Sequence, residues 1–67
     1  MQPRQTRLAK EKRELDEKTA KLSEFIGNDP LFEGVDPEEQ KRMRAQCEIM
    51  CQYSEILGQR IAAFPEA

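Results

Sequence analysis

Sixty-seven residues, of which 36% are charged and 37% hydrophobic, make one domain at most, and a net charge of −2 argues against bulk nucleic-acid binding. A chain this short buries little surface alone, so an oligomer, a metal or disulfides are its usual supports. It has no His, two cysteines, and no apolar run near the roughly 18 residues that a membrane span needs, which argues against a disulfide framework and a membrane protein.

The first stretch, MQPRQTR, lacks the apolar segment of a secretory signal, and a cytoplasmic location is expected. Residues 1–13 carry Arg4, Arg7, Lys10, Lys12 and Arg13 against Glu11 alone, while the remainder holds six basic and twelve acidic groups. Such a basic arm is either an anion patch or a solvated stretch of helix. Pro3 suits a first-turn position. From there Leu8, Lys12, Leu15, Thr19, Leu22 and Ile26 recur at 4-3-4-3-4 spacing, which predicts a helix over about 3–26 with one narrow contact seam. Lys12 fits that seam by lying its methylenes along it and sending its ammonium to water. Gly27 suits the residue just past the helix end.

A connector over 27–36 follows, with two Asp-Pro steps. Asp29-Pro30 can start a single helical turn, and Leu31, Phe32 and Val35 are expected to fold over the hairpin end as an apolar plug. Asp36-Pro37-Glu38-Glu39 reads as an N-cap, a first-turn proline and a capping-box glutamate. A second helix is expected over about 37–64, where Pro65 stops it. The fold class is therefore all-α: an antiparallel two-helix hairpin, one domain over 1–67, assembling into a four-helix bundle or a larger homo-oligomer.

Two rows run along the second helix. Met43, Cys47, Met50, Ser54, Leu57, Ile61 and Phe64 match the seam of the first helix. About 100° away lie Arg42, Gln46, Ile49, Tyr53, Ile56, Arg60 and Ala63, apolar at the centre and cationic at the ends. One narrow seam cannot cover both rows, so the second is an interface, with a second copy or with a foreign partner. Arg and Tyr together suit nucleotide phosphates and a stackable base; an oligomer contact with its arginines paired to Glu48 or Glu55 accounts for the same residues. Arg42, Gln46, Ile49, Tyr53, Ile56 and Arg60 are the candidate binding residues, with Arg4, Arg7 and Lys10 a secondary anion candidate.

Catalysis finds no support. A zinc site wants four ligands, and Cys47 and Cys51 stand alone without His. No carboxylate pair is set apart for acid–base work and no glycine-rich phosphate loop exists. No enzyme activity, metal or cofactor is expected.

The stretches EKRELDEKTAKLSEFI and EEQKRMRAQCEIMCQYSEILGQRIAAF carry a pattern at Leu22, Phe25 and Ile26, then Tyr53, Ser54, Leu57, Arg60 and Ile61. Over about residues 5–64 it resembles a family of small helical accessory proteins of tailed bacteriophages and prophages, including crAss-like phages. The resemblance implies a phage accessory protein in the cytoplasm of a bacterial host. It implies counter-defence by stoichiometric binding, either sequestering a nucleotide immune messenger, such as a cyclic oligonucleotide, or blocking a host defence protein. Two other readings stay open: a nucleic-acid-binding regulator using the basic arm, and a structural or assembly part of the virion.

Overall fold

The computed structural model describes residues 3–64. Two α-helices, α1 (Pro3–Asn28) and α2 (Pro37–Ala62), lie antiparallel, joined by a 3-10 turn over Pro30–Gly34. The result is an all-α hairpin some 50 Å long and about 15 Å across. Leu8 near the start of α1 and Leu57 near the end of α2 are buried where the helices meet. The two expected seams do face each other: Leu15, Leu22 and Ile26 on α1, and Met43, Cys47, Met50 and Ile61 on α2, are half-buried in the contact.

α2 begins as its sequence dictates. Asp36 accepts hydrogen bonds from the backbone N–H of Glu38 (3.1 Å) and of Glu39 (3.4 Å). Pro37 occupies the first turn, where its missing N–H costs nothing. The glutamate side chain of the expected capping box is engaged elsewhere, since Glu39 pairs with Arg42 Nε at 2.7 Å. An N-cap oxygen of this kind contributes about 1 kcal/mol. Asp36→Ala is therefore expected to lower the free energy of unfolding by about 1 kcal/mol, read from the shift of a urea midpoint at unchanged slope.

The other helix ends depart from expectation. α1 does not stop before Gly27; it continues through Asn28, and no glycine among the described residues has positive φ. The last turn is held instead by the Asp29 N–H on the Phe25 carbonyl (3.3 Å) and by the Asn28 amide on Glu24 (3.0 Å). α2 stops at Ala62 rather than 64, its end closed by the Ala63 N–H on the Gln59 carbonyl (3.0 Å).

The connector is tied down at both sides. Asp29 accepts from the Leu31 N–H at 2.9 Å and starts the 3-10 turn. The Gln40 amide on α2 reaches back to the carbonyl of Phe32 (2.8 Å), which also accepts the Val35 N–H that closes the turn, and to that of Val35 (3.0 Å). Phe32 is buried, edge-on to Phe25 at 5.8 Å, with the Arg44 guanidinium 5.1 Å from its ring centre. Val35 is half-buried. Leu31 is not part of the plug: it stands 73% exposed, because a turn this short directs neighbouring side chains to different sides and Phe32 takes the inward one.

Gly58 sits on the contact side of α2, opposite Lys12. A Cβ built there would lie 3.4 Å from Lys12 Cε, an ordinary van der Waals contact. The helices do not require glycine for their approach, and a helix-interior glycine is about 1 kcal/mol less favourable than Ala. Gly58→Ala should therefore raise the melting temperature, as followed by far-UV circular dichroism.

Candidate binding site

Lys12 departs from its expected path to water. Its ammonium contacts Asp16 at 2.8 Å and, across the helix pair, the Ser54 hydroxyl at 3.0 Å. Ser54 in turn donates to the other oxygen of Asp16. This three-residue network lies on the seam beside buried Leu57. It pins α1 and α2 in one register, because sliding either helix would strand the buried Ser54 hydroxyl. The Lys12 ammonium, then the Ser54 hydroxyl, hold the Asp16 carboxyl below its ordinary value. A carboxylate with a depressed folded-state pKa contributes stability above its unfolded pKa and loses it as pH falls through the folded one. Asp16→Asn should therefore be destabilised at neutral pH yet show less further loss than the parent on acidification, in melts recorded from pH 7 down to pH 3.

Next to Lys12 and Ser54 in sequence, the Tyr53 hydroxyl donates to the Glu11 carboxylate, a second polar tie between the helices. Glu11 belongs to an open cleft of about 530 Å³ at the free end of the hairpin, where the start of α1 meets the end of α2. Leu8 and Phe64 supply apolar surface there, and Arg4, Arg7 and Arg60 supply charge. None of the three guanidinium groups has a hydrogen-bond or ion-pair partner among the described residues. Among the described residues, three guanidinium groups stand against one carboxylate and leave the cleft locally cationic. Their forked donors suit phosphate or carboxylate oxygens.

The candidates named from the sequence are thereby sorted. Arg60 lies on the α2 row and Arg4 and Arg7 on the basic arm; the fold brings these three together. Lys10 lies outside the cleft and pairs with Glu14 at 3.9 Å. Arg42 is eighteen residues from Arg60 along α2, about 27 Å at helical rise, and is paired with Glu39 rather than with Glu48 or Glu55. Ile49 (63%), Tyr53 (42%) and Ile56 (53%) are all exposed, and Gln46 and Arg42 with them. Apart from the Tyr53 hydroxyl on Glu11, the second row of α2 is thus left uncovered by α1. Glu11, which the sequence marks only as the one acid of the basic arm, lines the cleft and accepts from Tyr53.

Other hollows offer less. One of about 710 Å³ near the connector includes Lys21, Glu24, Phe25, Asp29 and Pro30, and its one cation stands against two carboxylates. Cys47 and Cys51 neighbour each other on α2, and both are free thiols. Burial and the adjacent Cys51 raise the pKa of Cys47, which keeps it protonated and a poor nucleophile. Among the described residues no three Cys, Asp or Glu side chains come together as metal ligands, and no helix is long and apolar enough to cross a membrane.

A family model named Sequestin matches residues 2–63, nearly the whole hairpin. The chain belongs to the Sequestin family. No curated protein and no solved structure matches it. The stretch matched runs from the basic arm to Ala63, so this Sequestin chain has its three cleft arginines, Tyr53 and the uncovered row of α2 all inside the family segment. The family name suggests a sequestering, binding protein.

Proposed function

We propose that this protein acts by stoichiometric sequestration of an anionic ligand in the cleft formed by Arg4, Arg7 and Arg60, and that the ligand is a nucleotide messenger of bacterial immunity. The observation that carries the reading is the convergence, over apolar Leu8 and Phe64, of three guanidinium groups from both helices that have no partner among the described residues. Phosphates suit the guanidinium forks, and a base suits the apolar floor and the neighbouring Tyr53 ring. Membership of Sequestin supports binding as the mode of action, without catalysis. The resemblance to phage accessory proteins supports a role inside an infected bacterial cell, where removing a messenger would silence the defence that it triggers.

A ligand that binds only the folded chain raises the melting temperature in proportion to its affinity. Thermal melts with a panel of cyclic dinucleotides, cyclic trinucleotides and linear oligonucleotides test the reading. One class should raise the melting temperature by several degrees at micromolar concentration and be recovered intact after the protein is denatured. A chemically altered nucleotide would show turnover and refute sequestration. A flat panel would refute the messenger and leave a defence protein as the sequestered target, through the exposed row of α2.

A further inference from the structure

The arginine cleft holds one group that an anion site does not need. Glu11 is its only carboxylate among the described residues, set with Arg4, Arg7 and Arg60. A carboxylate there repels phosphate, so on charge alone it lowers affinity. Nor does it neutralise the arginines, since Glu11 makes no ion pair with any of the three. It is held across the helix pair instead, by the Tyr53 hydroxyl on Oε2. A carboxylate has about four lone-pair sites, so one hydrogen bond from Tyr53 fixes the group and leaves both oxygens able to accept more.

A fixed pair of acceptor oxygens beside phosphate-binding arginines suits one base above the others. On its pairing edge guanine carries two adjacent donors, the ring N1–H and the amino N2–H, which match the two oxygens of a carboxylate. Adenine and cytosine set a ring acceptor beside their amino group, and a carboxylate repels it; uracil has one N–H between two carbonyls. We propose that Glu11 selects guanine nucleotides, accepting from N1–H and N2–H while the arginines take the phosphates. This rests on the nucleotide sequestration proposed above and names its ligand class. The Tyr53 hydroxyl is then a positioning group, which keeps the Glu11 carboxylate turned to the base and away from the arginines.

Titration calorimetry tests the selection with cyclic and linear dinucleotides that carry guanine, hypoxanthine or adenine on the same phosphate frame, and with inorganic pyrophosphate as a probe that has no base. The parent chain should bind the guanine form about tenfold more tightly than the hypoxanthine form, which lacks the N2 amine, and the adenine form more weakly still. Glu11→Gln should weaken the guanine form about tenfold yet strengthen the adenine form and pyrophosphate, because a negative charge leaves the cleft. Tyr53→Phe keeps the ring and should narrow the gap between guanine and hypoxanthine. Glu11 and Tyr53 are both exposed, and circular dichroism checks that each variant remains helical. A merely structural Glu11 would weaken every probe on substitution, and a bare charge would strengthen every probe; either uniform change overturns the inference. Pyrophosphate bound, with nucleotides bound alike whatever their base or not at all, overturns the guanine selection and leaves the anion cleft standing. No binding of any probe overturns both.

Discussion

Leu57→Ala is expected to remove most of the stability of this fold. Leu57 is the one described side chain with no exposure at all, set in the seam beside the Lys12–Ser54–Asp16 network. Truncating a buried leucine costs about 2–5 kcal/mol, as the methyl groups lose their contacts and the cavity collapses only in part. A hairpin with so few buried apolar side chains has little in reserve. Thermal unfolding followed at 222 nm should lose its cooperative transition near room temperature. Leu31→Ala serves as the control, since Leu31 is largely in water already and its truncation should leave the melt nearly unchanged. Equal sensitivity at both positions would mean that the helices pack along a different seam.

Reversing charge in the cleft should have the largest effect on binding. Each guanidinium that contacts an anion through charge-assisted hydrogen bonds contributes about 1.5–3 kcal/mol. Each 1.4 kcal/mol is a factor of ten in affinity. Arg60→Ala should therefore weaken the ligand by roughly ten- to a hundredfold, and Arg4→Glu with Arg60→Glu should abolish binding in titration calorimetry. Lys10→Glu, outside the cleft and paired on its own helix, should leave affinity within a few-fold of the parent. All these side chains are exposed, so helicity and melting temperature should hold while affinity falls. If Arg42→Ala weakened binding as much as Arg60→Ala, the ligand would sit on the row of α2 and not in the cleft.

Most of the fold was legible because it rests on local chemistry and periodicity. The seam from Leu8 to Ile26, its match on α2 from Met43 to Ile61, and the Asp36-Pro37 start follow from side-chain spacing and from the donors that a helix start leaves open. The extension of α1 through Gly27 and Asn28 was not legible, since glycine permits a left-handed end without requiring one. Here the Asn28–Glu24 bond and the cap at Asp29 favour another half turn. Leu31 and Phe32 were equivalent as letters, and only the direction of the 3-10 turn separates them. The cleft was hidden for a different reason. A helical wheel sorts the residues of one helix, whereas Arg60 and Arg7 become neighbours through the register between two helices. That register is set by Lys12, Ser54 and Asp16, none of which reads as a lock on its own.

The two prolines that start the connector turn and α2, with the Gln40 clasp between them, also limit how the two helices can join. Neither Pro30 nor Pro37 has an N–H to continue a helix through the bend. The two helices therefore cannot merge through the connector into one long rod, and the bend between them is written into the chain itself rather than left to the packing of its faces.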